Sequence, residues 1–140
     1  MQQRDLIKEQ IEQLGKVLGT ILATFLGMKS KGNATQGMEI TDQRLQDELD
    51  IDIHQLLTLS DKALEQYLLE RKVQATHLDT LSHYLKETGE SAKEENKQEA
   101  KNRLRKALEL LYLADEISGA TSFDRMYKKT DLETLLSDLK

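Results

Sequence analysis

A chain of 140 residues and 16.0 kDa fits one ordinary domain, able to bury roughly 68 to 70% of its unfolded surface. It holds no proline and no cysteine, and Leu, Glu, Lys, Gln and Ala dominate, which excludes a disulfide framework and a cysteine-based zinc site and favours helix throughout. The net charge of −5 argues against a nucleic-acid binder, whose affinity rests on neutralising phosphates.

The opening segment, RDLIKEQIEQLGKVLGTILATFLGMK, carries Asp5, Glu9 and Glu12 where an export signal carries positive charge. Its nearly apolar run, Val17 to Met28, is about half of the ~20 residues needed to span a bilayer. A cytoplasmic protein without a membrane span is expected. Ile7, Ile11, Leu14, Leu18, Ile21, Phe25 and Met28 recur at spacings of four and three, one stripe of an amphipathic helix. Gly15, Gly19, Ala23 and Gly27 form a second lane at spacings of four. Each mid-helix glycine costs about 1 kcal/mol relative to alanine, so this lane predicts a second close-packed neighbour, from the same chain or from another copy in a homodimer.

SKGNATQG ends that helix, and MEITDQRLQDELDI resumes with Ile40, Leu45 and Leu49 on a second helical face, making a hairpin. From Glu39 to Asp52 six carboxylates accompany one arginine. The stretch reads as a solvated face, because Asp50 and Asp52 lack the oxygen-ligand spacing and glycine turn of a calcium loop. LSDKALEQYLLERK predicts a short third helix with Ser60 as N-cap and Ala63, Leu64, Tyr67 and Leu68 inward. THLDTLSHYLKETGE predicts a fourth, opened by Thr76 with Asp79 in a weak capping box and closed by Gly89.

His77 and His83 stand six residues apart, on different helical faces, and His54 lies in a separate segment, so the three make no zinc site. Asp79 and His83 at i,i+4 read as a surface pair. No nucleophile elbow, phosphate loop or strand alternation is present. No catalytic, metal-binding or cofactor-binding residue is assigned, and no cofactor is expected.

Leu78, Leu81, Ser82, Leu85 and Gly89, followed by Ala107, Leu111 and Ala114, have the large and small spacing of the two helices of a tetratricopeptide repeat, with the tryptophan and tyrosine of its first helix replaced by leucine. The charged stretch ESAKEENKQEAKN between them makes the interval about thirteen residues longer than the standard repeat. The expected fold is all-α, a single helical domain over residues 1–140, its antiparallel hairpins stacked as a degenerate tetratricopeptide-like superhelix. The chain also resembles, over nearly its full length, an uncharacterised family of small bacterial all-helical proteins with that fold. IKEQIEQLGKVLGTIL, DIDIHQLLTLSDKALEQYL, LDTLSHYLKETGE and TSFDR carry the resemblance. It implies the fold and brings no activity, cofactor or partner.

Within the charged stretch Lys93, Lys97, Lys101 and Arg105 recur every four residues, a candidate surface for an acidic partner. Interleaved glutamates supply ordinary helix pairs, Glu94 with Lys97 and Glu99 with Arg103, which favour a solvated face. SGATSFDRMYKK then combines a boundary and an anchor. Gly119 caps one helix, Thr121 or Ser122 starts the next, and Phe123 is expected to turn the last hairpin onto the core. The other reading is an exposed recognition patch of Phe123, Arg125 and Tyr127. TDLETLLSDL predicts a separate terminal helix opened by Thr130 and Glu133.

Three functions fit these residues. The first is a non-catalytic interaction module holding a protein or peptide, the second a structural protein that self-associates through its first helix, the third an enzyme whose site carries no recognisable motif.

Overall fold

The computed structural model describes residues 3–139, which form seven α-helices and, among the described residues, no strand. They are α1 (Gln3–Ser30), α2 (Ala34–Leu49), α3 (Ile53–Thr58), α4 (Asp61–Glu70), α5 (Ala75–Ala92), α6 (Lys97–Ser118) and α7 (Phe123–Asp138). Neighbouring long helices pack antiparallel. The α5/α6 pair makes the most extensive contact, α1 lies against α2 and α5, and α7 lies against α6. No described helix is long and apolar enough to cross a membrane.

In α1 the predicted stripe is buried at Leu14, Leu18, Ile21 and Phe25, but Ile7 stays 47% exposed because the first turns outrun the body of the domain. The α1/α2 turn is only three residues. Gly32, at φ +81°, supplies the left-handed residue, and the amides of Gly32 and Asn33 return to the carbonyls of Lys29 and Met28, which is the Schellman closure. The second helix therefore starts at Ala34, earlier than its apolar pattern suggested, and turns Gly37, Thr41 and Leu45 inward while Ile40 faces solvent. Gly37 sits where α1 and α2 come closest: a β-carbon there would lie 3.0 Å from Met28 Cβ.

The α3 and α4 segments bridge the two main hairpins. Asp52 caps α3 by accepting from the Gln55 amide at 3.2 Å, and Ile51, Ile53 and Leu56 enter the core. Ser60 occupies the N-cap of α4 as expected, with no side-chain capping bond. Leu64, Tyr67 and Leu68 are buried and Ala63 is exposed.

The fourth predicted helix needs two corrections. Its start is organised by His77, whose Nδ1 accepts from the Gln74 amide at 2.9 Å, in place of the expected Thr76 and Asp79 box. Its end is Ala92, beyond Gly89. Gly89 lies inside the helix, where a β-carbon would be 3.1 Å from Leu104 Cγ and 3.2 Å from Arg103 Cβ. It marks the crossing of α5 and α6. Leu78, Leu81, Ser82, Leu85 and Gly89 are buried on α5, as Ala107, Leu111 and Ala114 are on the α6 helix packed against it, and Ser82 Oγ donates to the Ala107 carbonyl at 2.7 Å. The charged stretch between the two motifs is mostly helix, with a turn only over residues 93–96.

The last helix is continuous. Gly119 at φ +73° closes α6, and Ser122 Oγ caps α7 by accepting from the Arg125 amide at 3.1 Å, both as predicted. Thr130 opens no second helix: its hydroxyl bonds back to the Met126 carbonyl at 3.1 Å within α7.

Candidate functional site

A hollow of about 650 Å³ lies between α2, α3 and α6 and is lined by residues including Met38, Glu39, Gln43, Asp52, His54 and Glu99. Its floor is a buried polar network built on Arg103. This residue falls on the inward face of α6 with Ala100, Leu104 and Ala107 and is 0% exposed. A guanidinium so placed requires partners on every side. Nη2 meets Asp42 Oδ2 at 2.5 Å, Nε meets Glu99 Oε1 at 2.8 Å, and Nη1 donates to Thr88 Oγ1 at 2.9 Å.

Asp42 is supported from the other side. Tyr84 donates to Asp42 Oδ1 at 2.5 Å and shares a 2.7 Å hydrogen bond with Thr41, whose own hydroxyl lies 2.7 Å from the Gly37 carbonyl. The network thus joins α2, α5 and α6. Burial works against the Arg103 charge, but the Asp42 and Glu99 carboxylates outweigh it, and the net shift holds its pKa above the ordinary arginine value. Burial, reinforced by the Asp42 charge, likewise raises Tyr84 above the ordinary tyrosine range. Both groups keep one protonation state at physiological pH, which suits a structural role and removes the tyrosine as a base. A second hollow of about 330 Å³, walled by Ala34, Met38, Ser91, Ala92 and Glu95, adjoins the first through Met38, His54 and Glu99.

The residues singled out in the sequence fall elsewhere. Lys93 and Lys97 line a small hollow with Glu90, Glu94 and Asp138 beside the C-terminal end of α7, and Lys101 and Arg105 line another with Glu133. The four do not share one helix face: Lys93 lies in the turn after α5, Lys97, Lys101 and Arg105 lie on α6, and carboxylates surround them. Phe123, Arg125 and Tyr127 stand at the opposite end of α7, so the two candidate surfaces do not meet.

The anchor assignment reverses. Phe123 is 89% and Tyr127 76% exposed, whereas Arg125 holds Asp79 with Nε and Nη2 at 2.8 and 3.1 Å and reaches Asp115 with Nη1 at 3.2 Å. These pairs, led by the hydrogen bond to Asp79, raise the Arg125 pKa. The arginine therefore fastens the start of α7 to α5 and α6, and the phenylalanine projects into solvent. Arg125 is not part of an open patch.

The glycine lane also divides. Gly15 meets the His77 ring, to which a β-carbon would lie 3.6 Å, while Gly19 has nothing within 4 Å and Ala23 is exposed. A neighbour from the same chain lies against the first position only, and at ordinary contact distance, so the expected close packing is not found at Gly15, Gly19 or Ala23. The Asp79 and His83 pair is not formed, since Asp79 binds Arg125 and His83 Nε2 sits 3.8 Å from Glu87. Among the described residues no three His, Asp or Glu side chains converge as a metal site.

Asp42, Thr41, Tyr84, Thr88 and Arg103 were all absent from the sequence reading of the site. Only the Glu99 and Arg103 spacing pointed toward them, and it gave a surface pair where the structure has a buried one. Against protein-family models, curated proteins and solved structures the chain gives no match, and the described residues form an all-α fold of seven helices.

Proposed function

We propose that this protein is a non-catalytic, cytoplasmic protein-interaction module on a degenerate tetratricopeptide-like scaffold, and that a segment of a partner protein lies in the groove between α2, α3 and α6. The observation that carries the proposal is the state of the groove floor. The ionisable groups there, Arg103, Asp42 and Tyr84, are committed to one another, which supports a shaped binding surface over proton transfer by these three groups. The scaffold part of the proposal is supported by the α5/α6 crossing, where small Ala107 and Ala114 nest against Leu78, Leu81 and Leu85. Carboxylates lining the hollow repel phosphates and favour protein over nucleic acid.

The test is affinity capture from native extract with the tagged protein beside Glu39→Arg/Gln43→Arg, two exposed groove positions. Loss of the captured partner in a variant with unchanged circular dichroism is expected. Equal capture by both proteins rejects the groove. A second reading, self-association through α1, is favoured by the open outward lane at Gly19 and Ala23 and by exposed Leu6 and Ile7. Light scattering over a range of concentrations distinguishes it, because a homodimer gains mass with concentration and a monomeric module does not.

A further inference from the structure

The two adjoining hollows differ in chemistry. In their joint lining five carboxylates, Glu39, Asp42, Asp52, Glu95 and Glu99, accompany one guanidinium, that of Arg103, which is buried and bound to two of them. Low-dielectric walls concentrate the remaining negative field in the groove. The smaller hollow has an apolar side, formed by Ala34, Met38 and Ala92, beside Glu95 and Glu99. Ser91 is among its lining residues, and the Ser91 hydroxyl oxygen is buried without a hydrogen-bond partner among the described residues. A buried hydroxyl left unmet is unfavourable, and it is relieved by a ligand that brings a donor or acceptor to it.

Resting on the groove reading above, we infer that the segment bound here is cationic, a short stretch of protein in which a lysine or arginine lies beside an apolar residue. The positive side chain meets Glu39, Asp52 and Glu95, the apolar one fills the hollow at Met38 and Ala92, and a backbone amide or carbonyl reaches Ser91. Charge complementarity selects this occupant. A phosphorylated or acidic segment is repelled by the same carboxylates, and a bare polyamine leaves the apolar hollow and Ser91 unfilled.

The experiment is selection of a random-peptide display library on the full chain, followed by fluorescence anisotropy on the enriched peptides and amide NMR mapping of their site. Enrichment of Lys or Arg next to an apolar residue is expected, with amide shifts at Met38, Ser91 and Ala92 and affinity that falls with salt. Glu39→Lys/Glu95→Lys, at two exposed positions, should weaken the enriched peptide at least tenfold, and Ser91→Ala severalfold. Acidic or neutral peptides mapping to the same amides overturn the cationic assignment and leave the groove reading standing. Spermidine binding as tightly as the peptides overturns the apolar component. If no peptide of any charge moves those amides, both the inference and the groove reading fall.

Discussion

Two residues apart at the start of α7, Phe123 and Arg125 face opposite ways, and their substitutions should separate accordingly. Phe123→Ala removes a ring that makes little burial and should change stability by no more than ~0.5 kcal/mol. Arg125→Ala leaves Asp79 without its cation in a partly buried corner, while Asp115 keeps Lys129, and should cost about 1 to 3 kcal/mol. Urea unfolding of the two variants checks the contrast, and a larger loss for Phe123→Ala rejects it.

His77 carries a second prediction. Its Nδ1 accepts from the Gln74 amide, which requires the neutral ring, while its Nε2 donates to the Ile11 carbonyl at 2.9 Å, a bond that either form keeps. Burial lowers its pKa, only partly offset by the Ile11 bond. Because the folded pKa lies below the unfolded value of about 6.5, the unfolded state binds the proton first as pH falls. The contribution is full above about pH 6.5 and is lost as pH drops toward the folded pKa. His77→Gln keeps a donor and an acceptor but cannot titrate. Stability measured from pH 7.5 to 5.5 should fall more in the wild type than in this variant. His83, also lowered by burial, is common to both proteins and cancels in the comparison.

At the level of the helices, the glycines that matter are those at crossings. Gly19 faces open space, so Gly19→Ala should stabilise by up to about 1 kcal/mol through helix propensity alone. Gly89→Val should instead cost roughly 1 to 3 kcal/mol, because even a β-carbon there lies 3.1 to 3.2 Å from Leu104 and Arg103, inside ordinary contact distance, and the valine methyls add to that crowding. Thermal melts of the two variants shifting in the same direction would reject this assignment. Helix existence and the core stripes were legible in the sequence, since Leu14, Leu18, Ile21, Phe25, Leu78, Leu81 and Leu85 obey the three-and-four spacing that burial on one side imposes. Gly32 and Gly119 marked turns for a local reason, the left-handed backbone that glycine adopts freely. Gly89 misled because a glycine at a helix crossing and one at a helix end look alike in sequence, and a partner helix decides between them. The start of α2 was missed because a polar turn of helix, with no apolar residue to bury, carries no periodic signal, and α7 was divided because Thr130 and Glu133 have capping-box spacing inside a continuous helix.

For the molecule as a whole, the network on Arg103 binds three helices that no single apolar stripe joins. It was hidden in the sequence because Asp42 and Arg103 are far apart in the chain, and each alone reads as a surface charge. A buried ion pair is itself weak evidence for stability, but breaking one side of it is costly, because the partner is left charged and desolvated. Arg103→Met should therefore cost about 3 to 5 kcal/mol, with Asp42 losing its cation while Tyr84 still donates to it. Asp42→Asn should cost less, since Arg103 keeps Glu99 and Thr88. In the double variant the methionine has no buried carboxylate at position 42 to leave unpaired, so its penalty should be smaller than the sum of the two single ones. A double-mutant cycle in urea measures this directly, and strict additivity would show that the Arg103 and Asp42 contact contributes nothing specific. The same cycle bears on the groove. Asp42 belongs to α2 and Arg103 to α6, so releasing their contact frees one wall from the other, and Arg103→Met should lose peptide binding at urea concentrations where helix content is still native.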